Sequence, residues 1–167
     1  YELKEVISEN IYVSSTGGAY NPFASNKKDR VIREVQLPKG TVAYTFRVIV
    51  TESGSTPQTS LISDISKLGM ASFPTATAVV KLASYSDGNY ADVFIFDKMT
   101  DARKFEGKLE GWWGCQAYKQ TKSTCRSSNE CLDMVAFGFR NNNGLMGLNI
   151  YFELVATIDV SKQSYSP

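Results

Sequence analysis

The chain contains no histidine. That removes the Ser-His-Asp and Cys-His arrangements of nucleophilic catalysis and the imidazole base that works near neutral pH. It also leaves any zinc site without one of its two usual ligand types. There is no glycine-rich phosphate loop and no nucleophile elbow, so no catalytic residue, cofactor or metal is assigned. Basic residues form no run longer than Lys27-Lys28, and 18 of them balance 17 acidic residues for a net charge of +1. Nucleic acid is therefore not an expected partner, because phosphate backbones are met by clustered positive charge. No apolar stretch reaches the roughly 20 residues that cross a bilayer, and the longest, around Leu145 to Val160, is broken by Asn149 and Glu153. Membrane insertion is not expected. There is no Asn-x-Ser/Thr sequon.

What is present is the composition of a folded protein: 43% hydrophobic, 21% charged and 12% aromatic residues in 167 positions. One domain spanning residues 1–167 is expected, with 160–167 as a polar tail. In "TVAYTFRVIV", Val42, Tyr44, Phe46, Val48 and Val50 recur at every second position with Thr45 and Arg47 between them, the pattern of a half-buried strand. "DRVIREVQL" precedes it across Pro38-Lys39-Gly40, whose turn residues predict an antiparallel hairpin. "EVISENIYV" is a further strand, and "SSTGGAYNPFASNKK" a turn-rich loop. Leu61, Ile62, Ile65 and Leu68 sit at helical spacing before Gly69. Asp87-Gly88 separates two apolar runs as a hairpin turn would. The first run, residues 75–85, is alanine-rich and reads as strand or helix, and the second, Val93 to Phe96, as a strand buried on both faces. Met99, Ala102 and Phe105 predict a second short helix with Thr100 as its N-cap. "MVAFGFR", the turn "NNNG" with positive φ values, and "LNIYFELVATIDV" predict a long closing hairpin. About eight strands and one or two short helices give a mostly β fold, an antiparallel β-sandwich of jelly-roll-like type.

Carboxylates add little chemistry. Asp92 and Asp97 are five apart, on opposite faces of a strand, and are expected to face water or cap a turn. Asp87, Asn89 and Asp92 have calcium-ligand chemistry, but a hairpin turn accounts for the same residues.

The densest feature is "EGWWGCQAYKQTKSTCRSSNEC", Glu110 to Cys131, which holds both tryptophans and all three cysteines. The cysteine spacings, nine and five residues, fit no zinc ribbon. The expected arrangement is a Cys125–Cys131 disulfide closing the polar "RSSNE", with Cys115 a buried free thiol; three reduced cysteines in a reducing compartment is the alternative. Trp112 and Trp113, beside Tyr118, Lys119 and Lys122, form either an aromatic surface for a sugar or a protein side chain, or a satellite core under the cysteine segment. A chain beginning at Tyr1 points to a removed leader, hence to export, periplasmic, cell-surface or secreted.

Two segments, "VQLPKGTVAYTFRVIVTESG" (35–54) and "FGFRNNNGLMGLNIYFELVAT" (137–157, within 136–157), resemble GOLD-type β-sandwich domains through hydrophobic alternation and turn residues. The resemblance covers under a third of the chain and implies a sandwich fold and protein binding in secretory traffic. The functional expectation is an exported, non-enzymatic sandwich that binds a protein or glycan through Trp112, Trp113, Tyr118 and Lys119. The alternative is an assembly subunit that self-associates into homo-oligomers through exposed strands.

Overall fold

A computed structural model of the chain describes residues 1–16, 28–51, 56–67, 89–112, 116–128 and 133–162. Its strands are β1 (Glu2–Val13), β2 (Arg30–Gln36), β3 (Thr41–Thr51), β4 (Ala91–Phe96), β5 (Gln116–Thr121), β6 (Ser123–Ser128), β7 (Met134–Arg140) and β8 (Leu148–Ile158). Two helices, α1 (Leu61–Lys67) and α2 (Met99–Glu106), lie between β3 and β5 in the chain. The first sheet has the order β1-β8-β3-β6 and the second β2-β7-β4-β5. All pairings are antiparallel. The protein is an antiparallel β-sandwich.

Alternation along each strand builds the space between the sheets. Tyr44, Phe46, Val48 and Val50 of β3 and Leu148, Ile150, Phe152 and Leu154 of β8 face Val93 and Ile95 of β4 and Val135, Phe137 and Phe139 of β7. Phe137 is the hinge of this packing, with ring centroids 5.0 Å from Phe46 and 4.8 Å from Phe152. Burying each such ring is worth about 1.5–3 kcal/mol.

Two of the three expected hairpins do not exist as hairpins. β2 and β3 belong to different sheets, and so do β7 and β8. Each connection is an arch that carries the chain across the core. At Pro38–Gly40, Thr41 donates from its backbone N (3.1 Å) and Oγ1 (2.6 Å) to the Pro38 carbonyl, and Gly40 takes φ of +86°. Turn residues report that a chain reverses, and both a hairpin and an arch reverse it. The choice lies in the strands: two strands with one strongly apolar face each bury more by facing one another than by lying side by side. Asn142, Asn143 and Gly144 do not take the expected positive φ; among the described residues only Gly40, Gly111 and Lys108 do. β5 and β6, separated by Lys122 alone, also fall in different sheets, so "RSS" of the expected polar loop is the end of an edge strand.

Both outer faces are covered. On the first sheet α1 lays Leu61 and Ile65 over Val155. Here β3 departs from its half-buried reading: Arg47 is 1% exposed and Glu153, its register partner on β8, 0%. Arg47 Nε donates to Glu153 Oε2 at 2.6 Å, its two terminal nitrogens reach Asp64 Oδ2 (2.8 Å) and the Thr59 carbonyl (2.6 Å), and Leu61 N donates to Glu153 Oε1 at 3.1 Å. On the second sheet α2 closes an apolar cluster of Ile32, Phe94, Phe96, Ala102, Phe105 and Ala136. Gly138 lies beneath it, where an added Cβ would fall 2.7 Å from Phe96 and 2.8 Å from Phe105. The α2 N-cap is Lys98, with no side-chain cap bond, and not Thr100. Of the tail, Val160–Lys162 form a 3-10 turn in which Asp159 Oδ1 accepts from Ser161 N at 3.0 Å. The expectations for residues 75–85, the Asp87-Gly88 turn and residues 163–167 lie outside the described residues.

Candidate functional site

The residues singled out from the sequence do not form one surface. Trp112 is half-buried on the outer face of the second sheet, its ring 5.1 Å from Phe94 and 5.2 Å from Phe105, both edge-on. Tyr118, on β5, packs instead against the core between the sheets, 6.2 Å from Phe46, and its hydroxyl lies 2.5 Å from Gln116 Oε1. Opposite faces of one sheet thus separate the two rings, and Trp112 takes the satellite-core role. Lys119 is exposed on β5. Trp113, Cys115 and Cys131 lie outside the described residues, while the Cys125 backbone sits in β6 opposite Arg47.

A different region gathers polar and aromatic side chains. The residues that follow β1 (14–16) and precede β2 (28–29) and β4 (89–90) meet the β7–β8 segment, residues 141–147, at one end of the sandwich, where that segment is fixed by its own asparagines. Asn141 is fully buried; its Nδ2 donates to the carbonyls of Met146 (2.8 Å) and Val13 (3.3 Å), and its Oδ1 accepts from Asn143 N at 2.8 Å. Asn141 N donates to the Asp29 carbonyl (3.0 Å) and Thr16 N to the Asn143 carbonyl (3.0 Å), which ties the loop to the chain on either side of the β1–β2 connection. Asn143 Oδ1 accepts from Leu145 N (2.9 Å) and Met146 N (3.2 Å), an asparagine turn of the kind that short amide side chains favour.

Asp92 anchors the same end. It is 2% exposed, and its Oδ2 accepts from Arg140 through Nε (3.1 Å) and a terminal nitrogen (2.6 Å), and from Asn142 Nδ2 at 2.6 Å. The expectation that Asp92 faces water fails because Arg140, its register partner on β7, supplies a charge-assisted partner that makes burial tolerable. Asp97 is exposed, as expected.

Asn89, Tyr90, Asn142 and Asn143 line a cleft of about 240 Å³ at this end. Beside it, large side chains stand in water: Tyr90 is 43% exposed, Met146 44%, Tyr12 53% and Leu145 92%. Tyr12 lies across Gly147 so closely that a Cβ there would overlap its hydroxyl. The sequence signal for this site was present in "NNNG" and "GNY", but asparagine at a chain reversal reads first as turn chemistry.

No family model matches the chain, and no curated protein sequence does either.

Proposed function

We propose that this protein is an exported, non-enzymatic binding module that takes a protein or glycan partner at the end of the sandwich where residues 14–16, 28–29 and 89–90 meet the β7–β8 segment. One observation carries the reading: Leu145 is 92% exposed on a loop whose backbone is held by Asn141 and Asn143. A large apolar side chain displayed on pre-ordered backbone has little left to lose in conformational entropy on association. Tyr12, Tyr90 and Met146 supply the aromatic and thioether surface that interfaces favour. The strand order, with all sequence neighbours except β4 and β5 in opposite sheets, supports a jelly-roll reading of the sandwich, an architecture that includes lectin and capsid domains.

Assembly through strand addition is the less favoured reading. The edge strand β1 carries Glu2, Lys4, Glu5 and Glu9 and a register shift between Glu5 and Ile7, and Arg33 of β2 reaches across to Glu9 at 2.6 Å. Charge and irregularity of this kind blunt an edge. In an oxidising compartment a Cys125–Cys131 disulfide with free Cys115 belongs to the same reading; because β6 runs on to Ser128, closure needs a reversal within residues 129–131.

The test is retention on arrayed glycans and extracellular proteins, with sedimentation run in parallel. A monomer is expected, retained on at least one array, with retention lost in the Leu145→Ser/Met146→Ser variant. Equal retention by the variant overturns the site, and a discrete ring or filament transfers the protein to the assembly class.

A further inference from the structure

We infer that the cleft beside Tyr90 binds a neutral pyranose ring. This rests on the binding-module reading above and adds to it the chemical class of one ligand.

The inference starts from the orientation of two amides. Asn142 Nδ2 donates to the Asp92 carboxylate, an acceptor that leaves no choice about which end of the amide faces it. Its Oδ1 therefore points away as an acceptor. Asn143 Oδ1 accepts two backbone N–H groups, those of Leu145 and Met146, which fixes the opposite choice and leaves Nδ2 as the donor. Among the described residues, neither Asn142 Oδ1 nor Asn143 Nδ2 has a partner. Adjacent residues thus offer one committed acceptor and one committed donor. A hydroxyl both donates and accepts, so a pair of neighbouring ring hydroxyls satisfies both groups, whereas a carboxylate or phosphate, which only accepts, leaves Asn142 Oδ1 unmatched.

Charge points the same way. Among the described residues the carboxylate next to the lining is Asp92, held by Asn142; it is already joined to Arg140 at 2.6 Å, so the pair presents no net charge to a ligand. Arg140 is further occupied by the Phe94 ring, 5.3 Å from its guanidinium carbon. Tyr90, 43% exposed and part of the lining, supplies an aromatic face of the kind on which the C–H side of a sugar packs. The volume, about 240 Å³, falls below the usual range for drug-sized ligands, about 300–1,000 Å³, and suits one ring rather than a nucleotide or an extended cofactor.

Saturation-transfer NMR on the full chain tests this with methyl glycosides of neutral hexoses and N-acetylhexosamines, alongside glucuronate, sialic acid and glycerol. At least one neutral glycoside is expected to bind with a Kd of about millimolar, in the range a single small ligand reaches. Tyr90→Ala should weaken it up to about tenfold while Tyr90→Phe retains it, since the ring and not the hydroxyl makes the contact. Met134→Ala, at the far end of β7 from Arg140, should change nothing. Binding of the acidic sugars in preference to the neutral ones, saturation of glycerol to the same extent, or full binding by a folded Tyr90→Ala variant each overturns the inference. So does silence from every neutral glycoside. If that silence accompanies loss of array retention in the Leu145→Ser/Met146→Ser variant, the binding-module reading survives alone; if retention is unchanged as well, both fall.

Discussion

Among the described residues each sheet of this sandwich carries one short helix on its outer face, and the two helices are attached by different means. Seven-residue α1 has Leu61 and Ile65 as its buried side chains and is pinned by an arginine that rises from β3 to meet Glu153, Asp64 and the Thr59 carbonyl. Eight-residue α2 has no buried ion pair among the described residues; Phe105 inserts between Phe94, Phe96 and Trp112, with centroid distances of 5.0, 5.4 and 5.2 Å, and Arg30 of β2 donates to its carbonyl at 3.2 Å and lies over its ring. Salt bridges at α2, such as Arg103 with Glu34 and Lys28 with Glu106, stay at its exposed rim. Apolar packing holds a helix down without choosing its exact place. A buried ion pair contributes little net stability against a hydrophobic substitute, but its geometry admits one position. The comparison teaches that a cover with too little apolar surface can be located by a buried ion pair, whereas one with enough rings is held chiefly by their packing, for which Gly138 provides the room.

Breaking the pin should give the largest effect. Arg47→Met leaves Glu153 buried without its cation and is expected to cost about 3–5 kcal/mol in denaturant unfolding, while Arg47→Met/Glu153→Leu recovers most of the loss. A double variant as unstable as the single one would show that the network is not the attachment of α1. On the other face, Gly138→Ala drives a methyl into Phe96 and Phe105 and should cost about 1–3 kcal/mol, partly relieved by adding Phe105→Leu. Unrelieved loss would place the strain in β7 itself. At the rim, Lys28→Ala removes a pair whose lysine is 61% exposed, so less than about 1 kcal/mol is expected, vanishing in high salt. The smallest effect sharpens the electrostatic side. Tyr151, beside Glu153 on the first sheet, has its pKa raised above 10.0, chiefly by burial, with the Ser8 hydrogen bond opposing and the Glu153 charge adding. A folded-state pKa above the unfolded one means stability that is present below pH 10 and lost as pH rises through the folded value. Tyr151→Phe should therefore flatten the alkaline edge of the stability profile, and an unchanged edge would assign it to other groups.

Much of this was legible as local pattern. The period-two runs of β3 and β8, the doubly buried Val93 to Phe96 and the apolar face Met99, Ala102, Phe105 all read correctly, because each depends on spacing within one element. Arg47 did not. A charged residue at an alternate position reads as solvent-facing, and its partners Glu153 and Asp64 lie 106 and 17 residues away. The same limit hid the cleft: Asn89 and Asn142 flank β4 and β7, which are far apart in the chain, and meet only when those two strands pair. Sheet membership was illegible for a related reason, since an arch and a hairpin use the same turn residues.

The position of β8 has a consequence for how the chain is made. It lies between β1 and β3, hydrogen-bonded to both, so the first sheet has a missing plank until residues 148–158 are synthesised. At about 5–20 residues per second, β1 and β3 wait several seconds with facing edges open, each a template for the wrong neighbour. A ribosome stalled before Leu148, or a nick there, would release a chain with that slot still open. The burden of keeping this protein soluble during synthesis thus falls on the charges of β1 and on whatever shields the nascent chain until its eighth strand arrives.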